Sequence, residues 1–368
     1  MKYIDEFRDP AVARRLIKDI ARHSIRPVRL MEFCGGHTRA ISQSGLRQVL
    51  PAAVRLRSGP GCPVCVTSAA DLGRAIALAQ VPGTILTTFG DMVRVPSNQG
   101  SLQEARAKGA DVRIVYSTLD ALQIARQNPD RCVVFLGVGF ETTAPTVAAA
   151  ILQAEAESIS NFCVFSVHKL TPPATRAILD GGEVRLDGVI GPGHVTTIIG
   201  ADAWGFLPDE YGLPCAIAGF EPLDILRAVA MLVEMNETGQ PTVGNAYERS
   251  VKAEGNHVAL EMMDRVFNVD TADWRGFGPI PDSGLVVRAE YAHRDAARLF
   301  SAEIARVAGE DAVTEPKGCR CGEVLRGVLE PPECPLFRRA CSPRTPIGPC
   351  MVSAEGACAA YYRYGGDA

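Results

Sequence analysis

Short β-branched runs alternate with helix-length segments along most of this chain, and that alternation limits the architectures open to it. The runs are VRLMEF (28–33), TILTTF (84–89), VRIVYS (112–117), CVVFLGV (132–138), FCVFSV (162–167), LDGVI (186–190) and PCAIAG (214–219). Between them lie ADLGRAIALAQ, LDALQIARQ, APTVAAAILQAEAE and PPATRAIL. Strands separated by helices read as parallel βαβ units, an α/β architecture with helices on both sheet faces. In such sheets ligands bind beyond the carboxyl ends of the strands, where the unusual residues of this chain cluster.

With 368 residues the chain exceeds one small core and implies two or three domains. Strand-end segments echo one another in order: FCGGHTRAI, SGPGCPV and TTFGDM, then VHKLTPPATRAI, IGPGHVT and AGFEPLDIL. The offsets are 134, 132 and 130 residues (33 to 167, 58 to 190, 89 to 219). Three echoes at nearly constant offset predict two similar parallel-sheet α/β domains facing a cleft. They are expected over 25–128 and 129–240, parted at the Asn-Pro turn signal QNPDR (127–131). Residues 241–368, taken with 1–24, form the expected third domain, mostly helical or irregular and cluster-binding. It holds a helix-like AYERSVKAEGNHVALEMMDRVF, the Gly/Pro-rich WRGFGPIPDSG and a second helical stretch, AHRDAARLFSAEIARVAG.

A net charge of −4 offers no electrostatic reason to bind nucleic acid or a membrane surface. The charged N-terminal segment reads as an amphipathic helix and not a secretory signal, and no apolar run is long enough to span a bilayer. A cytoplasmic location is expected. Twelve cysteines are many for such a protein, and six fall in the last 50 residues, which points to metal or redox chemistry before structural disulfides.

Four motifs carry that chemistry. EFCGGHT (32–38) joins an apolar strand to a helix through Cys34, Gly35, Gly36, His37 and Thr38. Glycines admit a bound group close to the backbone, and Cys with His can bind metal or activate a nucleophile; a tight turn with a half-buried Cys is the plainer reading. GPGCPVC (59–65) places Cys62 and Cys65 near a helix start, where thiol pKa falls and dithiol exchanges with disulfide; half of a zinc site is the other reading, and CxxC alone does not decide between them. The tail carries Cys319, Cys321, Cys334, Cys341, Cys350 and Cys358 among prolines. All-thiolate donors favour an iron–sulfur cluster, or else zinc. Six candidates compete for four positions; Cys321, Cys334, Cys341 and Cys358 are preferred, with Cys319 and Cys350 in reserve. Last, the strand-end loops supply Asp91 and Arg94, Glu141, Thr142 and Thr143, His168 with Lys169, and His194. A helix cap explains either threonine as well as a ligand does. Each histidine alone reads as a structural hydrogen bond; on converging loops they read as a site. Cys132, Cys163 and Cys215 lie in or beside apolar runs, as core residues do. No phosphate loop, nucleophile elbow, HExxH or dinucleotide GxGxxG is present in the sequence.

Taken in order, EFCGGHT, SGPGCPVCVT, TFGDMVRVP, GVGFETTAP, VHKLTPPA, IGPGHV and CMVSAEGACAAYY resemble the HypD family of [NiFe]-hydrogenase maturation proteins across essentially the whole chain. The resemblance implies a complex with the chaperone HypC, on which iron gains two cyanides and one carbon monoxide. Cyanide would come from the HypE–HypF system, and the finished unit would pass to the hydrogenase large-subunit precursor. It further implies that Cys34 holds the iron together with a HypC cysteine. Cys62 and Cys65 would be a redox dithiol between that iron and a [4Fe–4S] cluster. Gly35 and Gly36 would leave room for the iron unit, and His37 would hydrogen-bond the thiolate or a ligand. The arrangement is similar to ferredoxin–thioredoxin reductases. Two other readings stand beside it: a cluster-dependent disulfide reductase using Cys62 and Cys65, and a zinc-stabilised binding module. The leading reading is an assembly scaffold with redox capability, which need not be an enzyme in the turnover sense.

Overall fold

A computed structural model of the chain describes residues 5–310 and 315–365. Its strands are β1 (Val28–Glu32), β2 (Val54–Ser58), β3 (Thr84–Thr88), β4 (Val112–Ile114), β5 (Cys132–Gly137), β6 (Phe162–Ser166), β7 (Gly188–Pro192), β8 (Cys215–Ala218), β9 (Val243–Asn245), β10 (Phe267–Trp274) and β11 (Gly278–Val287). Two parallel sheets result, one in the order β2-β1-β7-β8-β9 and one in the order β4-β3-β5-β6. The mixed α/β class with parallel-sheet domains read from the sequence is what the chain adopts. Its central strands explain why they were visible: β3, β7 and β8 are buried at every residue, as strands covered on both faces must be.

Strand order departs from the expected partition. The turn at 127–131 falls inside the four-stranded sheet, between β4 and its third strand β5. The five-stranded sheet takes two strands from before residue 60 and three from after 187, with the whole of the other sheet inserted between them. The echoed segments follow the same rule: β1 and β2 are neighbours, whereas their counterparts β6 and β7 lie in different sheets. A parallel crossover can land beside any free strand edge. Strand–helix alternation therefore announces βαβ units without saying which strands become neighbours.

The third domain also differs from expectation. WRGFGPIPDSG, expected as an irregular patch, is the tip and second strand of an antiparallel hairpin, β10–β11. Pro279 and Pro281 are tolerated because a two-stranded ribbon leaves half its backbone donors unpaired. The helix at 246–267 shortens to His257–Val266, and AHRDAARLFSAEIARVAG breaks into a 3-10 turn and helices Ala296–Leu299 and Ser301–Glu310. The N-terminal helix Pro10–His23, capped by Asp9, packs on the helix Pro222–Thr238 of the five-stranded sheet, and among the described residues its core cluster contains none of the tail. Nor does the tail own a core. Cys321, Cys341, Cys350, Met351 and Cys358 belong to the same apolar cluster as Met31, Phe33, Cys62, Cys65 and Leu86, which fills the space between the sheets. Among the described residues no helix is long and apolar enough to cross a membrane.

Candidate metal centre

All strands of the five-stranded sheet run the same way, so its carboxyl edge gathers four loops side by side. They are Gly59–Cys62 after β2, Phe33–His37 after β1, Gly193–His194 after β7 and Gly219–Phe220 after β8. The first two are pressed together. Gly59 N–H donates to Glu32 O (2.9 Å) and Gly35 N–H to Gly61 O (2.8 Å). A Cβ on Gly61 would lie 2.2 Å from Cys34 N and 2.3 Å from its Cα, so only glycine lets these backbones touch.

Cys34 is the N-cap of the helix Gly35–Gln43 and is half-buried. Burial, helped by the Glu355 carboxyl, pushes its thiol up to about 12, while the N–H groups of Gly36 and His37 act to stabilise a thiolate there. His37 is fully buried; its Nε2 lies 3.0 Å from both Ala218 O and Gly219 O and therefore donates. Its Nδ1 has no partner, and burial holds the ring near pKa 4, hence neutral. Phe220 stacks on His37 at 4.8 Å between centroids and meets exposed His194 at 3.9 Å. A Cβ on Gly36 would strike that phenyl ring at 2.7 Å. Beneath the corner, buried Glu32 accepts from Thr38 Oγ1 and from Cys34 N–H (3.4 Å), and burial raises its carboxyl to about 7.

The second sheet and the tail close over this corner. Asp91, after β3, pairs with Arg94 (3.5 Å), and Arg94 also donates to Val352 O (3.3 Å) in the tail. Glu355 packs on Gly35, where a Cβ would meet Glu355 Cβ at 2.6 Å; burial and the Asp91 charge raise its carboxyl above the usual range.

Cys62 and Cys65 form a buried disulfide. The Cys65 sulfur lies 3.9 Å from Pro349 O, one residue from Cys350. Beyond it all six tail cysteines line a single cavity, its other walls mainly apolar (Val324, Leu336, Phe337, Met351). Within it Cys350 contacts Cys321 and Cys358, and Cys319 contacts Cys321. Ile347 N–H approaches Cys341 Sγ at 3.4 Å. Donors of this kind in an apolar nest suit an iron–sulfur cluster. Among the described residues no group of three or more His, Cys, Asp or Glu is gathered as a single-ion site.

The remaining sequence candidates sit elsewhere. Glu141 caps the helix Thr171–Gly181, its Oε1 accepting from Thr171 N–H (2.7 Å) and Oγ1 (3.1 Å) while Oε2 has no partner. Thr143 heads the helix Ala144–Ala156, with Thr142 before it. His168 is buried against Ser166 Oγ (3.1 Å) and Phe267, and burial lowers it to about 3. These four do not join the Cys34 corner. Lys169, 2% exposed, pairs with Asp71 (3.5 Å) on the helix that follows the disulfide. Cys163 and Cys215 are buried and Cys132 half-buried. Sequence reasoning missed Glu32, Phe220, Arg275 and Glu355. Of these, Glu32 lies two residues before Cys34, Phe220 follows the strand-end Gly219, and Glu355 stands inside CMVSAEGACAAYY.

A model of the HypD family, described as "Hydrogenase formation hypA family", matches residues 11–365. The chain belongs to the HypD family. It is 50% identical over 374 residues to the hydrogenase maturation factor HypD of Azotobacter vinelandii, covering 99% of this chain and 97% of that one. To the protein of the same name from Rhodobacter capsulatus it is 46% identical (100% and 99% covered), and to that of Escherichia coli K12 44% (99% and 98%). Of the motifs that suggested HypD in the sequence, EFCGGHT, SGPGCPVCVT and IGPGHV form three of the four loops at the sheet edge, and CMVSAEGACAAYY brings Cys350 and Cys358 to the cysteine nest.

Proposed function

We propose that this HypD-family chain is a cytoplasmic scaffold on which the Fe(CN)2CO unit of [NiFe]-hydrogenase is assembled, in complex with a HypC-type chaperone. Cyanide would arrive from HypE and the product would pass to the large-subunit precursor. One observation carries the reading. Three sulfur sets lie in series: half-open Cys34 against the Gly59–Gly61 loop, the Cys62–Cys65 disulfide continuing that loop, and the cysteine nest beginning at Pro349–Cys350.

The iron unit is the cargo. Soft, low-spin iron(II) suits a thiolate, and Cys34 presents its sulfur at a helix start where two backbone N–H groups favour the charged form. The empty thiol stays protonated, so iron displaces that proton. Glu355 stands beside it as a carboxyl able to take the proton up. Gly36, its Cβ position filled by Phe220, keeps the floor of the corner flat, and His37, locked through Nε2, offers Nδ1 as an acceptor. Asp91 and His194 border the same corner. Cys321, Cys334, Cys341 and Cys358, with Cys319 and Cys350 beside them, would hold a [4Fe–4S] cluster. When bound, such a cluster supplies or stores single electrons. Cys62 and Cys65 hold an electron pair as dithiol and release it as disulfide. Their burial, 3% and 0% exposed, argues against a reductase that attacks external disulfides.

Infrared spectroscopy of anaerobically isolated protein with HypC tests the reading. Wild type is expected to show carbon monoxide and cyanide stretching bands. Cys34→Ala is expected to lose them while keeping the iron–sulfur absorption; bands that persist in Cys34→Ala refute the assignment.

A further inference from the structure

We propose that Arg275, at the tip of the β10–β11 hairpin, is a positioning residue that sets how readily the cysteine nest accepts an electron. The inference rests on the reading of that nest as a cluster site. The hairpin reaches from the far side of the second sheet to a seam between the disulfide turn and the tail. On one side Trp274 bridges to Thr67, Arg275 N–H donates to Val66 O (2.9 Å), and Arg275 Nε donates to Thr67 O (2.9 Å). On the other, Gly276 lies so close to Gly322 that a Cβ would stand 2.4 Å from the Gly322 Cα, and Arg326 donates to Gly276 O. Gly322 follows Cys321 directly. One residue thus touches the turn that carries Cys65 and borders the segment that begins the nest.

The side chain is an unusual choice for such a seam. Arg275 is 2% exposed, and its NH2 is buried without a hydrogen-bond partner. An unsatisfied buried donor on a permanent cation costs free energy and calls for an explanation. Its acidic partner among the described residues, Glu315, is bonded through NH1 and leans toward solvent with 45% of its side chain exposed. The ion pair is therefore oriented, with its positive end inward at the seam where Gly276 meets Gly322, the residue after Cys321, and its negative end outward. One-electron reduction adds one negative charge to a thiolate-bound cluster. A fixed cation in a low-dielectric wall stabilises the reduced state more than the oxidised one, and a donor free to bond sulfur does the same. Glu315 opposes this, weakly because water screens it.

The two members of the pair therefore predict shifts of opposite sign, which a merely structural role for the hairpin would not produce. The test is a dithionite titration of the full-length protein isolated without oxygen, the reduced cluster being counted by electron paramagnetic resonance. Arg275→Met is expected to lower the equilibrium constant for reduction at least tenfold, about 59 mV for one electron. Arg275→Lys, which keeps the charge and loses the Nε bond, is expected to stay within a few-fold of wild type, and Glu315→Gln to raise the constant. A cluster-loaded Arg275→Met with an unmoved or higher midpoint overturns the proposal, as does Glu315→Gln moving downward. If Arg275→Met cannot retain iron, Glu315→Gln decides alone: a rise supports the proposal, no rise overturns it. A wild-type protein without any iron–sulfur signal overturns instead the reading of the nest, and the inference with it.

Discussion

The close approach of Gly61 to Cys34 can be tested by adding one methyl group. In Gly61→Ala the new carbon would lie 2.2 Å from Cys34 N, 2.3 Å from Cys34 Cα and 2.5 Å from the Phe33 carbonyl carbon. All three are backbone atoms, so no side chain can rotate away. Against an optimal separation of about 3.5 Å, the loop must retreat by roughly 1 Å. Overpacking of this kind costs ~1–3 kcal/mol, and straining the Gly35 N–H···O bond to Gly61 (2.8 Å) adds about 1 kcal/mol. The functional cost is larger than the stability cost, because the same retreat moves Cys62 away from Cys34, and an error of ~1 Å can cost about a hundredfold where reacting groups must meet. The assay pairs denaturant unfolding with infrared band intensity in the HypC complex. Gly181→Ala serves as control, since a Cβ there meets nothing within 4 Å and its backbone is helical. It is expected to be neutral or stabilising by ~0.4–1 kcal/mol. A Gly61→Ala protein with the control's unfolding midpoint and full band intensity would refute the contact argument.

Two further perturbations read the buried charges. Burial holds the Glu141 carboxyl at about 7, above its ordinary 4.5, so the folded chain binds the proton more tightly and stability falls as pH rises across that window, by up to ~3 kcal/mol. Glu141→Gln, which keeps an acceptor for Thr171, is expected to match wild type near pH 5 and exceed it near pH 8 in urea unfolding; a gap independent of pH refutes this. Asp224, its side chain 0% exposed, holds Arg249 through bonds of 2.8 and 2.6 Å and caps the helix behind Gly219. Asp224→Ala is expected to cost about 3–5 kcal/mol in the same assay, and a loss below about 0.5 kcal/mol would contradict it.

What the sequence disclosed follows from what each feature needs. β3, β5, β6, β7 and β8 were legible as short apolar or β-branched runs, because parallel strands covered on both faces are buried along almost their whole length. Cys34, Cys62 and His194 were legible as neighbours only in that each follows a strand, and strand ends of one parallel sheet share an edge. Which strands share it was not legible, since β1 pairs with β7 across 157 intervening chain positions (Leu30 with Gly188) and no local pattern encodes that distance. β10 was hidden for the opposite reason. Only its end residues Phe267 and Trp274 are buried, and residues 268–271 are exposed on a two-stranded ribbon, so it lacks the apolar run by which a buried strand announces itself. Glu355 was hidden because its role comes from packing on Gly35, a contact across 320 residues of chain (35 to 355).

The interleaved order also explains how a tail without its own apolar core can present six thiols in fixed positions. A separate metal-stapled domain would depend on its metal for folding. Here Cys321, Cys350 and Met351 are buried in the cluster that also contains Cys65, Phe33 and Leu86, and Gly348 seats closely on Cys319. Both sheets contribute to that cluster, and the β10–β11 hairpin tip locks its outer seam. Apolar burial supplies the scaffold and leaves the thiols to be satisfied afterwards. Chelation of the metal of the proposed cluster should then leave the global unfolding transition in place and loosen only the segment from about residue 319 onward, which hydrogen exchange of its backbone amides resolves. Global unfolding on chelation would instead show that sulfur–metal bonds, and not the shared core, hold the two sheets and the tail together.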